Sequence, residues 1–308
     1  MIPEMEKKGY DKNFATAVTA TAATTGMIIP PSNILIVYAI ASGGVSISAL
    51  FVAGYLPGLL IALFLMLVCT IYAIKNNSPR ESVLPLNIVV KKIAAALPSL
   101  FLLFIVIGGI IGGVFTATEA GAIAVIYSLF LSLVVYREIN LKELPDIALK
   151  AGGITAIVMF LIATSSAMSW ILSYENIPQM ISELLLTISD NPLIILLIIN
   201  LMLIVVGAFM DMTPAVLIFT PILLPVAESL GMSPVHFGIM LVLNLSIGLC
   251  SPPVGAVLFV SCSVGKTSIE KIIKPMLPLY IAMFVALMLV TYIPAISEFL
   301  PRYFGLIS

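Results

Sequence analysis

One acidic side chain, Asp211, separates two apolar stretches, Pro192 to Phe209 and Ala215 to Val226, in the run Met210-Asp211-Met212-Thr213-Pro214. An ionisable group that deep in apolar sequence is a functional candidate. The plain alternative is a cap on the helix that follows it, and the two roles are compatible. Two Pro-Pro pairs, Pro30-Pro31 and Pro252-Pro253, interrupt other apolar stretches. Backbone polar groups cannot lie bare in hydrocarbon, so such breaks must line a protein-enclosed or wet cavity. Helices ending near Gly26 and Gly248 aim their last carbonyls at the breaks, and that partial negative charge suits a bare cation. Helices restarting at Asn33, after Pro253 and at Pro214 present free amides, which suit a carboxylate; proline costs nothing at a first helical turn.

This chemistry predicts two overlapping sets. Gly26, Pro30, Gly207, Met210, Asp211, Thr213, Gly248, Ser251 and Pro252 are the expected sodium ligands, mostly through backbone carbonyls, since a hard cation prefers oxygen. Ser32, Asn33, Thr213, Pro214, Val254 and Gly255 are the expected carboxylate-binding set. No catalytic residue and no cofactor beyond the coupling ion is expected. Thr116 and Glu119 read as a capping box, and Gly108, Gly109, Gly112 and Gly113 as close helix packing. His236 reads as an interfacial residue, and Trp170 with Tyr174 as an aromatic belt. Cys69, Cys250 and Cys262 have no metal spacing and read as small core residues.

The elements that must hold these groups follow from composition. Of 308 residues, 61% are hydrophobic and 9% charged, and the net charge is −1. That composition excludes a soluble domain and gives nucleic acid no basic patch to bind. Several stretches reach the length of a bilayer crossing, so the fold class is all-α and polytopic, with the lipid bilayer as partner. Residues 137 to 149 read as an amphipathic surface helix. Sliding the chain by 222 positions places Pro3, Glu6, Gly9, Gly26, Pro30, Pro31, Gly43, Ser46 and Ile47 on Pro225, Glu228, Gly231, Gly248, Pro252, Pro253, Gly265, Ser268 and Ile269 without a gap. Six of these nine pairs are Gly or Pro, the residues that mark backbone breaks. Interrupted segments at matching places in two halves point to a transporter site. With Pro192 to Val226 as a re-entrant hairpin, the second broken helix runs opposite to the first, and 13 of 14 Lys and Arg residues fall on one side. The positive-inside bias then places the N-terminus in the cytoplasm and the C-terminus outside. The expected organisation is residues 1–74 as the end of a first inverted repeat and 75–93 as a cytoplasmic loop. Residues 94–190 are scaffold helices with amphipathic arms, and 191–308 are hairpin, broken helix and last helix.

The breaks also carry a family likeness. Gly26-Met-Ile-Ile-Pro30-Pro31-Ser32, Gly54-Tyr-Leu-Pro57-Gly58, Phe115-Thr-Ala-Thr-Glu119, Pro221-Ile-Leu-Leu-Pro225 and Gly248-Leu-Cys-Ser-Pro252-Pro253-Val-Gly255 resemble the large membrane subunit of tripartite ATP-independent periplasmic (TRAP) transporters. The resemblance implies an elevator-type, sodium-driven symporter of a bacterial or archaeal inner membrane. Its substrate would be an organic acid such as a C4-dicarboxylate or sialic acid, and its partners a small membrane subunit and a periplasmic substrate-binding protein. A related cation-coupled anion symporter that works without a binding protein shares these features. Asn33 departs from the usual apolar residue, and Ser251 from the usual Thr. Met1 falls on Leu223 under the repeat, so symmetry expects a first hairpin upstream and reads the chain as a fragment.

Overall fold

The computed structural model describes residues 1–76, 85–189, 191–252 and 255–307, which form helices and, among the described residues, no strand. In chain order the helices are α1 (Ile2–Lys7), α2 (Lys12–Ile28), α3 (Asn33–Ala41), α4 (Ile47–Lys75), α5 (Leu86–Ile111), α6 (Ala117–Phe130) and α7 (Leu144–Tyr174). They continue as α8 (Ile177–Ile188), α9 (Pro192–Phe209), α10 (Met212–Ser229), α11 (Pro234–Leu249), α12 (Ala256–Gly265), α13 (Ile269–Tyr292) and α14 (Ala295–Tyr303). Among the described residues seven helices are long and apolar enough to cross a membrane, and there are eight such spans if the pair α2 and α3, bent by 50° at its break, counts as one.

Short polar side chains fix where many of these helices begin. A helix leaves its first amides without partners, and an oxygen at the N-cap satisfies one of them. Asp11 accepts from Phe14 N at 2.7 Å, Ser46 from Ala49 N at 3.2 Å and Ser233 from His236 N at 3.2 Å. Thr116 and Glu119 form the reciprocal capping box that the sequence predicts.

The 222-residue repeat is a repeat of structure. Helices α2 and α11 start 222 positions apart, and so do α4 and α13. The turns before α2 and α11 each carry a left-handed glycine, Gly9 with φ +83° and Gly231 with φ +87°, a conformation that costs other residues dearly. The two broken paths run antiparallel. Thr267 donates to Asn13 at 2.6 Å, the Cys250 thiol to Ala20 O at 3.4 Å, and the Tyr38 hydroxyl to Pro234 O at 2.6 Å. As the first path advances from Asn13 to Tyr38, the second therefore recedes from Thr267 to Pro234.

The chain forms two compact units, Met1–Pro79 with Ile162–Ser308, and Arg80–Leu161. In the second unit the Tyr127 hydroxyl of α6 donates to Pro98 O of α5 at 2.8 Å, and few side chains are buried. Residues 137–149 form no helix of their own. A 3-10 turn at Leu141–Glu143 leads straight into α7, so the surface helix read from the sequence is the entry to a long span. Among the described residues Gly108, Gly109, Gly112 and Gly113 meet no second helix either. A Cβ on Gly109 would meet the Phe115 ring at 2.1 Å, so this glycine admits the chain's own turn after α5.

Candidate functional site

The first unit is built around the two breaks. At the first, the carbonyl end of α2 and the amide end of α3 are joined by one side chain. Ser32 Oγ accepts from Leu35 N, as an N-cap does, and donates to Met27 O. Helix α4 makes room for this break with two glycines around its internal proline. A Cβ on Gly54 would lie 2.3 Å from Ile28 O, and one on Gly58 2.4 Å from Ile29 Cγ1. Any larger residue at Gly54 would strike backbone and push the break away.

Helices α9 and α10 fold back on each other at Met210–Asp211. Helix α9 runs parallel to α11, since Asn200 meets Asn244 and, further along both, Gly207 meets Gly248. Helix α10 packs on α11 and joins it through the short turn 230–233, so α10 runs the opposite way. Asp211 caps the return leg, with Oδ1 accepting from Met212 N at 2.8 Å.

The tip of this hairpin divides between the breaks. Its first half lies on the second break. Gly207 and Gly248 touch backbone to backbone, and Gly255 N, which opens α12, donates to Ala208 O at 3.0 Å. Its second half faces the first break. Asp211, Met212 and Thr213 line a cavity of about 310 Å³ together with Gly26, Met27, Pro31, Ser32, Asn33, Ile34 and Leu249. Two helix N-termini, those of α3 and α10, open onto this space beside the carbonyl end of α2. N-termini favour anions and C-termini cations. Asn33, Asp211 and Thr213 add an amide, a carboxylate and a hydroxyl.

Of the expected carboxylate-binding residues, Ser32, Asn33 and Thr213 are brought together in this cavity, and Pro214 follows in the first turn of α10. Gly255 stands at the second break, and Val254 lies outside the described residues. Of the expected sodium ligands, Gly26, Asp211 and Thr213 line the cavity. Gly207 and Gly248 form the backbone contact. Ser251 and Pro252 instead line a separate apolar cavity of about 490 Å³ between α9 and α13, where Ser251 hydrogen-bonds Tyr280. Pro30 is buried at the first break and Met210 at the tip is half-buried.

The two breaks are unequally covered. A Cβ on Gly26 would meet nothing within 4 Å, whereas one on its repeat mate Gly248 would lie 2.7 Å from Gly207 Cα. Val37 and Tyr38 of α3, packed against α10, are 3% and 0% exposed, while their mates Phe259 and Val260 on α12 are 49% and 64% exposed.

Sequence reasoning missed a buried amide pair, Asn200 and Asn244, the one side-chain amide in each of two largely apolar helices. Lone polar residues of that kind are the available signal. His236, read as interfacial, is buried, and its Nε2 pairs with Val290 O at 2.8 Å.

A family profile described as the tripartite ATP-independent periplasmic transporter, DctM component, matches residues 1–296. An uncharacterized protein, YgiK, of Salmonella typhimurium is 53% identical over 99% of this chain and 70% of its own length. The C4-dicarboxylate TRAP transporter large permease protein DctM of Pseudomonas aeruginosa is 39% identical over 99% of this chain and 71% of its own. The sialic acid TRAP transporter large permease protein SiaM of Vibrio cholerae is 38% identical over 98% and 71%.

Proposed function

Because the chain belongs to the DctM family of tripartite ATP-independent periplasmic transporters, we propose that it carries an organic carboxylate across the inner membrane, driven by sodium. On this reading it is the large permease subunit and works with a small membrane subunit and a periplasmic binding protein. The hairpin is re-entrant and opens toward the periplasm, with the N-terminus cytoplasmic and the C-terminus periplasmic. The observation that carries the proposal is the cavity between the hairpin tip and the first break. Two helix N-termini converge there on a space of about 310 Å³ beside the carbonyl end of a third helix. Amide ends hold a carboxylate without a charged side chain, and the carbonyl end with Asp211 and Thr213 offers oxygens to sodium. The permeases named for C4-dicarboxylate and sialic acid support the carboxylate class, since both named substrates bear that group.

Binding tests this directly. A ligand that binds only the folded state raises its unfolding temperature by mass action. A panel of dicarboxylates and sugar acids, each with and without sodium, should contain members that stabilise the purified permease only when sodium is present. Thr213→Val and Asn33→Leu should diminish that stabilisation. Stabilisation by neutral analogues as strong as by the acids would reject the carboxylate reading.

A further inference from the structure

Helix α9 is apolar on every side, and its one polar side chain is Asn200. Such a surface has no preferred register of its own in a bilayer, because sliding it along a neighbour exposes nothing on it that lipid disfavours. Yet the register of α9 on α11 decides whether the hairpin tip meets the second break. Gly207 lies two turns beyond Asn200, and Gly248 one turn beyond Asn244. These glycines touch, and Ala208 O receives Gly255 N at 3.0 Å. A slide of one residue moves the leg by about 1.5 Å and of one turn by about 5.4 Å, and the larger slide removes both contacts.

We propose that Asn200 and Asn244 are positioning residues whose buried amide pair sets this register and so holds the hairpin tip on the second break. Asn244 Nδ2 donates to Asn200 Oδ1 at 2.7 Å and to Asn200 O at 3.0 Å. Asn200 Nδ2 in turn donates to Leu196 O at 2.8 Å and to Thr291 Oγ1 of α13 at 3.2 Å. All three side chains are buried. The bond to Leu196 O lies within α9, but those to Asn244 and Thr291 cross between helices and are met at one register only, so the pair acts as a key for a leg that carries no other polar side chain. Asn244 Oδ1 is buried without a partner among the described residues. An uncompensated buried oxygen is a cost that apolar packing would avoid, which is what a residue kept for specificity rather than stability carries.

The effect on transport rests on the proposed sodium-coupled reading, whereas the register itself does not. The experiment uses the intact protein in lipid nanodiscs, with Asn200→Leu, Asn244→Leu and the double variant. Unfolding temperature and amide exchange of the segment 207–213 are measured in each. Either single change strands an amide and should lower the unfolding temperature. The double variant strands none and should recover most of that loss. Its tip segment should nevertheless exchange about tenfold faster or more, a change that a merely structural pair would not produce once stability is restored. Native exchange at the tip of the double variant would overturn the proposal. Should the double variant not be recovered, Asn244→Ala is measured by the same readout, with exchange at its tip expected to rise more than exchange in α13, and an equal rise in both overturning the proposal. Half-saturating sodium for uptake separates the two readings. Faster exchange with a raised sodium requirement supports both, and faster exchange with an unchanged requirement supports the register and sinks the sodium reading at this contact.

Discussion

Gly26 and Gly248 are mates under the repeat, both lie within helices, and each is replaced by alanine in the sharpest test of how the breaks are packed. Alanine gains roughly 0.5–1 kcal/mol over glycine in a helix interior, and this gain is common to both variants, so it cancels when they are compared. At Gly248 the new Cβ would lie 2.7 Å from Gly207 Cα, 2.8 Å from Gly207 C and 2.9 Å from Ile204 O, all backbone atoms that cannot rotate away. Ordinary contact begins at 3.4 Å, so α9 and α11 must part by about 0.7 Å against close packing. Overpacking of that kind costs about 1–3 kcal/mol. At Gly26 the Cβ meets nothing within 4 Å, and no such penalty arises. Gly248→Ala should therefore be less stable than Gly26→Ala by about 1–3 kcal/mol, read as unfolding temperature and denaturant midpoint in matched detergent. If that strain falls on an ion held at the tip, half-saturating sodium for uptake by Gly248→Ala rises by up to about a hundredfold, since 1.4 kcal/mol is tenfold. Equal stability of the two alanine variants would refute the packing asymmetry on which this reasoning rests.

Three further outcomes are expected. Asp211→Asn should keep stability within about 0.5 kcal/mol of native, because Asn also caps well, while uptake falls at least tenfold; uptake at native levels would reduce Asp211 to a cap. Cysteines placed singly at Asn191 and Ser229 should both label from the periplasmic side, and labelling from opposite faces would remove the re-entrant hairpin. Glu298 of α14 is nearly buried, and burial pushes its carboxyl up. Hydrogen bonds from Ser233 and Arg302 and the positive charge of Arg302 outweigh burial and hold it below the ordinary carboxylate value. Its contribution is complete above about pH 4.5 and is lost as pH falls through the lower folded value. The unfolding temperature should drop over that acidic window in the native protein and drop less in Glu298→Gln, and parallel curves would contradict a stabilising role for this carboxylate.

Much of the fold was legible because backbone breaks are written in Gly and Pro. The 222-residue offset placed the starts of α2 and α11, and of α4 and α13, in register. Local capping chemistry was equally readable at Thr116 and Glu119. Which break each half of the hairpin tip would meet was not. That choice depends on helices apolar all round, where periodicity names no preferred face. The sodium set read from the sequence joined the tip residues Gly207, Met210, Asp211 and Thr213 to both breaks at once, Gly26 and Pro30 with Gly248, Ser251 and Pro252, whereas Asp211 and Thr213 share a cavity with Gly26 and not with Ser251 or Pro252. Gly207, named in that set together with Gly248, does meet it backbone to backbone at the second break. His236 misled for a related reason. Its position after a polar turn looks interfacial, but a carbonyl from α13, Val290 O, lets it be buried.

The account stands or falls on sodium-driven uptake. The intact permease, reconstituted in liposomes with its small membrane subunit, is supplied with binding protein loaded with a radiolabelled carboxylate that stabilises the permease in the presence of sodium. An inward sodium gradient should drive accumulation, and replacing sodium by potassium or collapsing the gradient should abolish it. Accumulation at the same rate in potassium would contradict the assignment of the breaks and the hairpin tip to a sodium-coupled site.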